Sequence, residues 1–188
     1  MFTLLPRVGV ELPHRAGLLR FGMTERRAQW AISTLADVRE EWLCVRARAT
    51  GVAWAFFAEY EDLTISVRGG PAADDRVPGL DEIRIARRGD PLPTAPAAVP
   101  VVYDGIDLFG YPDSEVEEAL RTTCPHAAGE QMPAEEFGLT LGRPTAAVRS
   151  PGTAGRRPRH PAHRESAATR YLASATLTGP ERYRLMTG

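Results

Sequence analysis

Hydrophobic and polar positions first mark out a helix. Ala28, Ala31, Ile32 and Leu35 recur at i, i+3, i+4 and i+7, one apolar face of an α-helix, with Trp30 off that face and expected to cover its edge. Thr24 is placed to cap this helix, and Glu25 in the first turn suits the positive end of its dipole. The period then changes to two. Leu43, Val45 and Ala47 alternate with Cys44, Arg46 and Arg48, which predicts a half-buried strand. Val52 to Tyr60 is apolar on both faces until Glu59 and reads as a central strand. Glu61-Asp62 is a turn. Leu63, Ile65 and Val67 then alternate with Thr64, Ser66 and Arg68, and Ile83 and Ile85 mark a fourth strand. One helix followed by a four-stranded antiparallel meander is an α+β unit.

A second unit follows with a weaker pattern. Pro91, Pro93, Pro96 and Pro100 sit among small residues, predicting a semi-extended linker or a crossing strap. Val101-Val-Tyr103 is a short strand, and a helix is predicted from Ser114, with Glu117 three residues later as a capping box. Val116, Ala119 and Leu120 form its apolar face. Phe137, Leu139 and Leu141 alternate, and Tyr171 to Leu177 is a further strand. Ser150 to Ser166, rich in Pro, Gly, Arg and His, reads as a mobile loop.

The two helices share a motif. Gly17-Leu-Leu-Arg-Phe21-Gly22 and Gly105-Ile-Asp-Leu-Phe109-Gly110 keep the same Gly and Phe offsets 88 residues apart, each leading to a hydroxyl cap, Thr24 or Ser114. A glycine bend, an aromatic plug and a glycine permitting close approach account for these letters, which lack the features of a cofactor loop. The expected fold is therefore α+β, two helix-plus-antiparallel-sheet halves in a tandem arrangement, the second with a thinner sheet. The boundaries are 1–90, a Pro-rich linker at 91–98, and 99–188 with the mobile loop at 150–166.

Leu18-Leu-Arg-Phe-Gly-Met-Thr24 resembles the helix-opening segment of beta-lactamase-inhibitor-like and small-lipoprotein-like folds. The wider series, with Gly105–Gly110, Gly138-Leu-Thr-Leu-Gly-Arg-Pro144 and Arg170-Tyr-Leu-Ala-Ser-Ala-Thr176, is similar to a group of small actinobacterial α+β proteins with no established activity. The inhibitor-like resemblance implies helices on a four-stranded sheet and a partner protein held on an exposed sheet face. This chain departs from the pattern: Ala36-Asp37 follows Leu35 where Leu-Gly is usual, and no lipobox cysteine lies near the N-terminus.

Composition narrows the partner classes. At 188 residues with 43% hydrophobic and 25% charged content, the chain is an ordinary globular protein. Its formal net charge of -1 argues against a protein that coats nucleic acid. All 23 basic residues are Arg, with neither Lys nor Asn, which reads as the codon usage of a GC-rich, actinobacterium-like genome. No run reaches the roughly 18 apolar residues of a membrane span, and Met1 to Val10 lacks the pattern of a signal peptide. Two cysteines, Cys44 and Cys124, are too few for a disulfide framework, so a cytoplasmic protein with reduced thiols is expected.

The chemistry-bearing residues favour binding over catalysis. Cys124, His126, His160 and His163 are loosely spaced for zinc, and Cys124 continues a helix face, so no metal site is assigned. Arg156 to Arg164 is basic but lacks aromatics for base stacking, leaving nucleic acid disfavoured. Acidic pairs sit mostly at turns; Glu59, ending an apolar strand, is the exception. No nucleophile elbow or phosphate loop occurs. No catalytic residue and no cofactor are therefore expected. Trp42, Arg46, Arg48, Trp54, Phe57 and Tyr60 lie on adjacent predicted strands, and Trp, Tyr and Arg dominate interface energetics. These six are the expected partner-binding residues of a non-catalytic protein-binding module, immunity-like or inhibitor-like. The alternative is an enzyme or small-ligand-binding protein with a pocket between the halves.

Overall fold

The computed structural model describes residues 1–41, 52–70, 79–89, 93–123, 138–143 and 169–179. The chain is α+β: among these residues it forms two helices and two mostly antiparallel sheets, of five and six strands.

The five-stranded sheet starts at the N-terminus, where the sequence reading placed no strand. β1 (Phe2–Leu5), β2 (Gly9–Leu12) and β3 (Gly17–Arg20) form an antiparallel run. β8 (Val101–Tyr103) pairs in parallel with β1, and β9 (Ile106–Asp107) closes the order β3-β2-β1-β8-β9. The first motif is thus a strand followed by a turn, not only a helix opener. α1 (Glu25–Ser33) then begins after Thr24, which holds the cap position in extended conformation but makes no side-chain cap bond. The helix stops before Leu35, which packs against the core from just beyond it.

The six-stranded sheet has the order β10-β11-β7-β6-β5-β4. β4 (Val38–Glu40) precedes the predicted strand 43–48, which lies outside the described residues. β5 (Trp54–Tyr60), β6 (Leu63–Gly69) and β7 (Leu80–Arg87) are the expected meander, in register Phe57↔Ser66↔Arg84. β11 (Ser174–Thr178) and β10 (Leu139–Gly142) extend it. α2 (Asp113–Thr123) starts one residue earlier than predicted. The Asp113 carboxylate accepts the Ser114 N–H, and the Pro112 carbonyl accepts those of Glu115 and Val116, so Ser114 is inside the helix and no capping box forms. The Glu117 side chain is only 13% exposed and instead holds Arg121 of its own helix and Arg143 beside β10.

The two stretches expected to fold as halves do not keep separate sheets, because each contributes strands to both. Among the described residues the second stretch contributes two strands to each sheet, and the first contributes three and four. The Pro-rich segment is a strap fastened at both sides: Ala97 N–H donates to the Phe109 carbonyl, and Ala98 N–H to the Asp62 carboxylate. The motif copies do match locally. Thr24 bridges to Gly79 and Pro112 to Tyr171, each one residue before its helix, and Ala28 and Ile32 are buried as Val116 and Leu120 are. Phe109 is fully buried, whereas Phe21 is half-buried against the core. That likeness covers one turn and one helix.

A single cluster joins the inner faces. Phe2, Leu4, Val10, Leu19 and Tyr103 of one sheet meet Phe56, Ile65, Val67, Ile83, Ile85 and Leu177 of the other, with the apolar sides of both helices. Burying side chains of this size stabilises the fold by roughly 1.5–3 kcal/mol each. Phe2 meets Tyr60 edge-on at 5.8 Å, and the Tyr60 hydroxyl lies 2.9 Å from Nε2 of His14, which ties the β2–β3 turn to β5.

Candidate functional site

Alternation in β5 decides which expected binding residues reach a surface. Trp54, Phe56, Ala58 and Tyr60 point to the core side, and Ala55, Phe57 and Glu59 to the other. Trp54 is 7% exposed and stacks on Phe56 with ring centroids 5.7 Å apart, so its indole serves the core. Tyr60 is half-buried between the sheets. Phe57 alone of these three stands on the outer face of the six-stranded sheet. Trp42, Arg46 and Arg48 lie outside the described residues.

The strand register assembles three parallel rows on that outer face. The central row runs Arg39, Phe57, Ser66, Arg84, Thr176, Thr140 across all six strands. At about 4.8 Å per strand it spans roughly 24 Å. On one side lie Ala55, Arg68, Glu82 and Thr178, with Glu41 beyond Ala55; on the other, Glu59, Thr64, Ala86 and Ser174. Apart from Ala55 and Ser174, these side chains are half-buried or exposed, while the facing inner row of Phe56, Val67, Ile83 and Leu177 is almost fully buried.

The flanking rows carry paired charges. Arg68 reaches Glu41 at 3.0 Å and Glu82 at 3.3 Å. Burial works against the charged guanidinium, but the bond to Glu41 and the charges of Glu41, Glu82 and Asp81 outweigh it and hold Arg68 above its ordinary range. Glu59 accepts from Arg88 at 2.8 Å and faces Arg39 at 3.9 Å. The carboxylate singled out from sequence is therefore engaged by two arginines on the outer face of the six-stranded sheet. Arg84, exposed in the central row between Ser66 and Thr176, has no ion pair among the described residues. Sequence reasoning missed it, although its alternation with Ile83 and Ile85 already set it opposite the core.

Among the described residues no group of three or more His, Cys, Asp and Glu could hold a metal ion. Cys44, Cys124, His126, His160 and His163 lie outside them, as do residues 150–166. No helix among the described residues is long and apolar enough to cross a membrane. No family model matches the chain, and no curated protein and no solved structure matches it.

Proposed function

We propose that this chain is a non-catalytic binding protein that holds a partner protein on the outer face of the six-stranded sheet, as an immunity-like or inhibitor-like factor would. The observation carrying this reading is the central row, where Phe57 stands between Arg39 and Ser66, and Arg84, with no ion pair among the described residues, stands two strands away. A half-exposed aromatic beside arginines is the composition of an interface anchor. Carboxylates interleaved with arginines suit the polar rim of a protein interface. The same carboxylates, Glu41, Glu59 and Glu82, would repel a phosphate backbone, and one aromatic among the described residues of the face is no stacking platform for bases. The inhibitor-like resemblance of Leu18–Thr24 supports the same mode. The all-Arg basic set and the low cysteine count support a cytoplasmic, actinobacterial setting.

The test is affinity capture from a GC-rich actinobacterial lysate with the wild-type chain, Phe57→Asp and Arg84→Glu. Thermal melts would first establish that both variants remain folded. A defined protein retained by the wild type and lost from both variants is the expected result. Equal recovery on all three would count against the sheet face.

A further inference from the structure

Trp30 is 74% exposed on α1. Burial of Ala28, Ala31 and Ile32 sets the rotation of the helix and leaves Arg26, Arg27 and Trp30 together on the solvent side, at i,i+3 and i,i+4 spacing. Neither arginine has an ion pair among the described residues. Both sit in the first turn, where the helix dipole disfavours cations. Two unneutralised guanidinium groups beside a solvent-exposed indole make a binding face with a basic character.

α2 carries the complement. Tyr111, 55% exposed, precedes it, and Glu115 and Glu118 follow at i+4 and i+7 on its solvent side. Glu115 has no ion pair among the described residues; Glu118 reaches Arg121 at 3.1 Å, but its side chain is 72% exposed, so that pair is heavily screened. Glu115 and Glu118 occupy the motif positions that Arg27 and Trp30 hold 88 residues earlier. α1 follows β3 and α2 follows β9, the opposite edges of the five-stranded sheet.

We propose that the chain self-associates head to tail, with α1 of one copy seated on α2 of a second. Arg26 and Arg27 face Glu115 and Glu118 of the neighbouring copy, and Trp30 and Tyr111 supply the apolar contact. A second copy is the occupant because the complementary face lies on the same molecule, and a net charge of -1 sets up little long-range repulsion between copies. The two faces differ and lie at opposite sheet edges, so the contact is heterologous and builds rings or short chains. A single helix pair buries little area, which makes the association weak. It uses a different surface from the sheet face, and its failure would leave the sheet-face reading standing.

Sedimentation velocity of the full chain tests it, over a hundredfold concentration range at low ionic strength and again in molar salt. Average mass should rise with concentration at low salt and return to the 20.5 kDa monomer in high salt. Trp30→Ser, and the Arg26→Glu/Arg27→Glu pair, should each weaken association at least about tenfold, and melts would show that these surface variants stay folded. Neither the Arg26→Glu/Arg27→Glu chain nor a Glu115→Arg/Glu118→Arg chain should associate alone, and mixing the two should restore assembly, since each α1 then meets an oppositely charged α2 on the other chain. A monomer at every concentration, or association indifferent to Trp30→Ser and to charge reversal, would overturn the proposal.

Discussion

The Asp107 carboxylate accepts the Gly110 backbone N–H at 3.1 Å, and the same oxygen takes those of Phe109 at 3.1 Å and Val101 at 3.3 Å. One side chain thereby fastens the end of β8 to the turn that opens α2. The approach is so close that a Cβ on Gly110 would lie 2.3 Å from the other Asp107 carboxylate oxygen. Asp107→Ala should cost about 1–3 kcal/mol, the penalty for part-buried N–H groups losing a charged acceptor. Gly110→Ala should cost a similar amount, because the pinned carboxylate must move. The double variant should lose less than the sum, since both changes break one interaction. Urea denaturation of the four proteins measures this, and strict additivity would contradict it.

Gly69 lies under the Trp54 indole, where a Cβ would meet ring atoms at 2.1–2.4 Å. Gly69→Ala must displace an indole already stacked on Phe56. Overpacking of this kind costs about 1–3 kcal/mol. The melting temperature should fall, and the buried tryptophan contribution to fluorescence should shift to the red. An unchanged spectrum would place Trp54 elsewhere.

Arg68 on β6 links Glu82 on neighbouring β7 to Glu41, which lies just past β4 on the far side of β5. A cation whose folded pKa is raised contributes stability at every pH below its unfolded pKa and loses it only as pH climbs through the folded value. For a guanidinium that window is strongly alkaline. Arg68→Met should therefore destabilise by about 1 kcal/mol, as expected of a half-exposed pair, and by the same amount at neutral and moderately alkaline pH. A loss that disappears on mild alkalinisation would contradict this assignment.

Arg15 adopts φ +60° immediately after His14 at φ +56°. L-residues pay for that conformation, and glycine does not. Arg15 makes no ion pair among the described residues, so Arg15→Gly should stabilise the fold by about 0.5–1 kcal/mol. A drop in the urea midpoint would show an unrecognised role for the side chain.

Some of this architecture was legible and some was not, for physical reasons. β5, β6 and β7 could be read because their two-residue period is long and rich in Val and Ile. β1, β2 and β3 are four residues each, broken by Pro6 and Pro13, and adjacent Leu4-Leu5 blurs the alternation. Their partner β8 lies about a hundred residues away in parallel pairing, which leaves no local signature. β4 is too short and polar at Val38-Arg39-Glu40 to stand out. Alternation sets Phe57 and Trp54 on opposite sides of β5, but which side faces the core could not be read because the strand is apolar on both. Arg84 was visible in the alternation but carried no chemistry until the register set it in line with Phe57.

Site-specific photocrosslinking measures the central claim most directly. A benzophenone amino acid would replace Phe57, Arg84 or, on the outer side of the five-stranded sheet, Leu18. In the native host, positions 57 and 84 should each yield one adduct with the same protein, and position 18 should yield none. No adduct at 57 and 84, or an equal adduct at 18, would contradict the six-stranded sheet as the binding surface.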